Sequence, residues 1–168
     1  NYDDHLIFEG FNEPRLIGTD EEWRDGTDEA YDVINSMVAE YVKTVRNTGG
    51  YNKTRYLLIS TYRNGDMYEM LQKLEIPDDD HLLVSVHAYI PYEFAQKRNG
   101  TDAWSSENEE DTDQIDTIFL GLKGFMDTKN IPVVITEFAA VNKNNEEDRA
   151  DWCRYYTRTA DKYGIPYI

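Results

Sequence analysis

His5-Leu6-Ile7-Phe8-Glu9-Gly10 runs directly into Phe11-Asn12-Glu13-Pro14. The first six residues form a short, largely apolar run. Pro14 has no amide hydrogen to donate, so a strand ladder cannot pass it and the chain must turn. The stretch reads as a buried strand that ends in a polar loop carrying a carboxylate. The same grammar recurs three times: Tyr56 to Ser60, Leu82 to Tyr89 and Val133 to Ile135 are apolar runs whose C-terminal ends carry Tyr62-Arg63, His87 with Tyr89, and Thr136-Glu137-Phe138. Continuous apolar runs, unlike alternating ones, belong to strands covered on both faces, as in a parallel sheet.

Between these runs the period changes to that of a helix. Ala30, Ile34, Met37, Val38, Tyr41, Val42 and Val45 share one helical face, with Thr27 or Asp28 as the cap in front and Gly49-Gly50 behind. A shorter helix is expected from Asp66 to Leu74, another through Ile115, Ile118, Phe119, Leu122, Phe125 and Met126, and a last one from about Glu146 to Lys162 carrying Trp152, Tyr155 and Tyr156. Ile165-Pro166-Tyr167-Ile168 looks like the start of a fifth strand. Strict alternation of strand and helix implies an α/β fold, a parallel sheet with right-handed crossovers, spanning residues 1–168 as a single domain.

Two architectures satisfy that alternation, a doubly wound open sheet and a (β/α)8 barrel. In a barrel the residues that do chemistry sit just beyond the carboxyl ends of the strands. Asn12-Glu13, Tyr62-Arg63, His87 with Tyr89, and Glu137 all occupy such positions, which favours the barrel. The long polar stretch from Pro91 to about Glu110 has the length of a functional loop, with Trp104 on it as a candidate for stacking on a sugar. Trp23, after Glu13, is a weaker candidate of the same kind.

The chain carries 33 acidic and 17 basic residues, a formal net charge of −16. Nucleic acid and anionic membrane are poor partners for such a surface, because binding to either rests on cationic side chains. A neutral polymer meets no such repulsion, and 13 Tyr and 3 Trp suit the apolar faces of sugar rings. No run approaches the ~18 apolar residues of a membrane span. Nor does a charged-then-apolar leader open the chain at Asn1, so any signal peptide is expected to have been removed or to lie outside the sequence. The single cysteine, Cys153, has no intrachain partner and reads as a small buried side chain on a helix. The acidic run Glu107 to Asp113 has the composition of a divalent-metal loop but lacks the glycine and spacing of an EF-hand, so a solvated loop is expected. The pattern calls for no metal and no cofactor.

Two carboxylates at the ends of two parallel strands are what glycosidic bond cleavage needs, since one donates a proton while the other attacks or stabilises the anomeric carbon. Glu13 and Glu137 fit. Asn12 is placed to hydrogen-bond a sugar hydroxyl. His87 and Tyr89, two apart on one strand, point to the same side and can orient the carboxylates.

Phe8-Glu9-Gly10-Phe11-Asn12-Glu13-Pro14, His87-Ala88-Tyr89 and Val134-Ile135-Thr136-Glu137-Phe138 resemble, in order and spacing, the motifs of glycoside hydrolase family 5, the endoglucanase-rich family. The resemblance implies that Glu13 is the acid/base after the fourth barrel strand, with Asn12 touching the sugar at the cleavage subsite. It implies that Glu137, after the seventh strand, is the nucleophile. His87 and Tyr89 match the His-x-Tyr pair after the sixth strand. Thr136-Glu137-Phe138-Ala139-Ala140 departs from the family, which commonly has Gly around the nucleophile.

The match runs from the fourth strand to the start of the eighth, about the second half of a barrel of ~250 residues. The family's first three strands, its Arg and His ahead of the acid/base, and its eighth-strand Trp have no counterpart. Two open sheet edges are therefore expected, to be covered by another segment or by a second copy. The expected activity is endo-acting, retaining cleavage of β-1,4-linked glucan by a secreted, extracellular enzyme. The expected glucan is of the cellulose, mixed-linkage or xyloglucan type, with a xylanase or mannanase, or a non-catalytic glycan-binding fragment, as alternatives.

Overall fold

The computed structural model describes residue 3 and residues 5–168; the opening at Asn1 lies outside them. Four strands, β1 (Phe8–Glu9), β2 (Leu57–Ile59), β3 (Leu82–His87) and β4 (Val133–Glu137), form one parallel sheet in the order β1-β2-β3-β4. Tyr167 continues that order by bridging Ile135 in parallel. A doubly wound sheet reverses its strand order at a switch point. Here the order follows the chain without reversal.

The helices are α1 (Asp28–Asn47), α2 (Tyr68–Gln72), α3 (Tyr92–Ala95), α4 (Glu109–Lys129) and α5 (Glu146–Tyr163). Only one face of the sheet joins the core they form. Leu57, Ile59, Val84, Val86, Val133 and Ile135 belong to it, whereas Leu58 and Val134, which alternate with them, do not. Period-two alternation thus separates a helix-covered outer face from an inner face, the arrangement of a curved sheet wound in one direction.

Local chemistry explains the element ends. Thr27 Oγ1 accepts the Ala30 amide at the start of α1, and Asp28 and Glu29 lie against the positive end of its dipole. Val38 and Val42 are buried on its inner stripe, while Met37, expected on the same face, is 37% exposed. The Arg46 guanidinium grips Asp79 through two bonds (2.6 and 2.9 Å) and also donates to the carbonyls of Asn52 and Arg55, fastening the end of α1 to the approaches of β2 and β3.

Three expectations need correction. The acidic run from Glu107 is the N-terminus of α4, where Asn108 caps Glu110 and three acidic residues occupy the first turn. Its charges are explained by the helix dipole. Cys153 lies on the outward side of α5 and is exposed, because the stripe that packs inward runs through Trp152 and Tyr156. The stretch after Pro91 is folded down: it contains α3, and Lys143 Nζ holds it by donating to the carbonyls of Glu93, Phe94 and Thr101. Among the described residues no helix is long and apolar enough to cross a membrane.

Candidate active site

The carboxyl ends of β1, β3 and β4 bring Glu13, His87, Tyr89 and Glu137 together. Glu13 Oε1 lies 3.0 Å from His87 Nδ1, and Glu137 Oε2 lies 3.4 Å from the same nitrogen. A carboxylate oxygen from each glutamate and that ring nitrogen all fall within 4.8 Å of one another. Carboxyl groups ~5–5.5 Å apart are the spacing of double displacement with a covalent glycosyl intermediate.

Each member is held by its own neighbours. The Tyr89 hydroxyl donates to Glu137 Oε2 at 2.6 Å, and burial, followed by that bond, pushes its pKa up to about 12. Arg15 Nη1 stands 3.7 Å from Glu13 Oε2 and donates to the Glu13 carbonyl at 3.0 Å. Its Nε engages Glu22, and its guanidinium stacks 4.1 Å above the Trp23 ring. The His87 side chain is 4% exposed, against 21% for Glu13 and 37% for Glu137, so a buried imidazole backs two carboxylates that solvent or substrate can reach.

Register makes the β4 end work. Val86 pairs with Ile135 but His87 pairs with Glu137, which leaves Thr136 as an extra residue in β4. Successive residues of a regular strand point to opposite faces, whereas a bulge re-aims them. Here both sides of the bulge meet β3: Thr136 Oγ1 lies 2.6 Å from Ser85 Oγ, and Glu137 lies beside His87.

From Glu13, His87 and Tyr89 a cleft of about 530 Å³ extends past Trp23, Arg63, Asp66, Tyr92, Gln96 and Gln114. Burial raises the pKa of Asp66 above the ordinary range, opposed by the nearby Arg63. Glu13, His87 and Glu137 would also fit around a single metal ion by distance alone, but their contacts with one another and with Tyr89 already engage the same atoms.

Five of the six residues singled out from the sequence lie at this end of the sheet. Asn12 is exposed next to Glu13. Trp104 is the exception. It is 3% exposed, its Nε1 donates to the Asp111 carbonyl, and Phe94 and Tyr155 pack on its ring, so no face remains for a sugar. Trp23, ranked below it, is 56% exposed and lines the cleft. Sequence reasoning missed Arg15 and Asn64; Arg15 had a usable signal in its place just after Glu13-Pro14, whereas Asn64 had none.

The family model described as Cellulase (glycosyl hydrolase family 5) matches residues 1–168. Endoglucanase 1 of Ruminococcus albus is 45% identical over 168 residues, covering 99% of this chain and 40% of its own length. Among solved structures, a broad specificity endoglucanase from Clostridium longisporum aligns with a TM-score of 0.94 and 38% identity, covering 99% of this chain and 48% of its own. A broad specificity endoglucanase from Ruminococcus champanellensis with bound cellotriose aligns with a TM-score of 0.93 and 39% identity, over 99% of this chain and 48% of its own. The chain thus spans less than half the length of each of these relatives, and its sheet is part of a (β/α)8 barrel.

Proposed function

The chain belongs to glycosyl hydrolase family 5, and on that premise we propose that it supplies the acid/base and the nucleophile of an endo-acting, retaining β-1,4-glucanase. The observation that carries this reading is the approach of Glu13 and Glu137 to within 4.8 Å across His87 Nδ1.

In the first half-reaction a Glu137 oxygen attacks the anomeric carbon. The bond from that carbon to the leaving oxygen breaks, and the Glu13 proton passes to the departing oxygen. The Tyr89 hydroxyl occupies Glu137 Oε2, which leaves Oε1 as the less engaged, attacking oxygen. In the second half-reaction a water attacks the same carbon from the face the leaving group vacated. Glu13, now ionised, takes its proton, and Glu137 is released as a carboxylate with the anomeric configuration retained. Arg15 steadies the Glu13 backbone through both steps. Asn12 hydrogen-bonds the sugar at the cleavage subsite, and Trp23 offers its exposed ring to the sugars on the leaving-group side.

The substrate class is β-1,4-linked glucan, supported by the endoglucanase relatives and by the cellotriose in one of them. The missing partner is the first half of the barrel, from a longer chain or a second copy. Leu6 and Ile7 are exposed beside β1, and Ile168 at the other edge, where such a segment would close the sheet. Cleavage within a polymer chain too large to cross a membrane supports the reading of a secreted, extracellular enzyme. In a complete barrel bearing this segment, Glu137→Gln should abolish release of reducing ends from carboxymethyl cellulose and xyloglucan; undiminished release would overturn the assignment.

A further inference from the structure

Glu13 holds a backbone φ of +48°, in the left-handed region that residues with a side chain seldom enter. Such a conformation persists only where the surroundings impose it. The imposing element is the turn after β2, Tyr62-Arg63-Asn64. Asn64 Oδ1 accepts the Glu13 amide at 2.8 Å, and the Arg63 amide donates to the Pro14 carbonyl at 2.9 Å. Arg63 and Asn64 are themselves left-handed, with φ of +49° and +51°. The Tyr62 hydroxyl adds a third tie, donating to the Glu21 carbonyl and accepting the Leu16 amide. Two strained loops therefore lock each other.

We propose that Asn64 is a positioning residue for the acid/base: it fixes the backbone of Glu13, and so the direction of its carboxyl group, as the last link of a polar network that starts beside the nucleophile. The inference rests on the reading of Glu13 as the proton donor.

The network leaves Asn64 one orientation. Its Nδ2 donates to Glu9 Oε1 (3.1 Å) and to Ser85 Oγ (2.9 Å), so only Oδ1 can turn to the Glu13 amide. Ser85 Oγ donates to Glu9 Oε1 at 2.5 Å, and with its one hydrogen spent there it must accept from Thr136 Oγ1, 2.6 Å away. Thr136 is the bulged residue immediately before Glu137. The chain of bonds thus crosses all four strand ends, from the backbone that carries the nucleophile to the amide that carries the acid. Asn64 is wholly buried, so its own amide group has no water to turn to in place of these partners. No other side chain answers as well. Asp lacks the two donors and would set a second charge beside Glu9, Gln is a methylene too long, and an aliphatic residue would leave the Glu13 amide without a partner.

If the Asn64 acceptor is removed, residue 13 is free to relax towards negative φ, which swings the carboxyl group away from His87 Nδ1. The loss falls on proton donation. Bond cleavage that needs no proton should be spared.

The test is the ratio of kcat/KM on cellotetraose to kcat/KM on dinitrophenyl β-cellobioside, whose leaving group departs unassisted. Both are measured on one sample of a complete barrel bearing this segment, so the folded fraction cancels. Asn64→Ala is expected to lower the ratio about 100-fold, within the range general acid catalysis contributes, and Glu13→Gln sets the ceiling. Where Asn64→Ala is poorly folded, the exchange Asn64→Asp with Glu9→Gln restores an acceptor for the Glu13 amide and a donor between the two positions; it should recover the ratio at least about tenfold over Asn64→Ala. A parallel fall on both substrates, an unchanged ratio, or an exchange variant no better than Asn64→Ala would overturn the positioning role. A parent barrel inert on both substrates would instead overturn the underlying reading of Glu13 and Glu137.

Discussion

The Tyr89 hydroxyl lies 2.6 Å from Glu137 Oε2, a bond that joins the end of β3 to the end of β4. It orients the proposed nucleophile. Tyr89→Phe should lower kcat/KM on cello-oligosaccharides about 10- to 100-fold, the value of one charge-assisted hydrogen bond of about 1.5–3 kcal/mol. The bond also has an alkaline signature. The folded-state pKa of Tyr89 is raised from 10.0 to about 12, so its contribution to stability is complete below pH 10 and disappears as pH rises through about 12. Tyr31 and Tyr41 are also pushed up to about 12, so the ultraviolet titration is read as a difference: the variant should lack one late-titrating phenol.

Trp23 and Trp104 should separate binding from stability. Trp104 is enclosed by Phe94 and Tyr155, and Trp104→Ala should cost about 3–5 kcal/mol of unfolding free energy. Trp23→Ala, at a ring 56% exposed in the cleft, should raise KM for long oligosaccharides while moving Tm little. Thermal melts and steady-state kinetics on the two variants give the comparison, and the reverse pattern would show that the cleft reading is mistaken.

Arg46 and Asp79 form the clamp at the end of α1. Asp79→Asn should cost about 1.5–3 kcal/mol, the value of hydrogen bonds to a charged group. The Arg46 hydrogen bond is the first cause holding the Asp79 carboxyl below its ordinary 3.8. With the folded value depressed, the stabilisation is present above pH 3.8 and is lost as pH falls through the folded-state value. The difference in Tm between parent and variant should therefore be widest near neutrality and close in acid.

Cys153 is exposed on α5 and should react with a thiol reagent in the native protein. One equivalent should be modified without denaturant and without loss of secondary structure; labelling only after unfolding would restore the buried reading.

Much of the candidate site is legible in the sequence. Glu13, His87, Tyr89 and Glu137 each follow an apolar run, and a parallel sheet necessarily collects the C-terminal ends of its strands on one side. The acidic run at the start of α4 was misread because a helix N-terminus and a solvated acidic loop share a composition until capping is seen. Trp104 and Trp23 were ranked in the wrong order for a related reason. Both stand in polar stretches, and whether an indole lies over or under its own loop depends on which side chains the fold brings onto its ring, Phe94 and Tyr155 for one and the Arg15 guanidinium for the other.

The sequence by itself determined the order of strands and helices and the side of the sheet on which Glu13, His87, Tyr89 and Glu137 gather, because periodicity and strand-end position are local properties of a chain. Only the tertiary structure decided how those carboxylates are aimed. The extra residue Thr136 shifts the register so that Glu137 faces His87, and Asn64, 51 residues away from Glu13, accepts its amide and holds its backbone left-handed. Both effects arise from contacts between segments far apart in the chain, and no pattern along a single segment records which residue of a distant strand or turn will meet it.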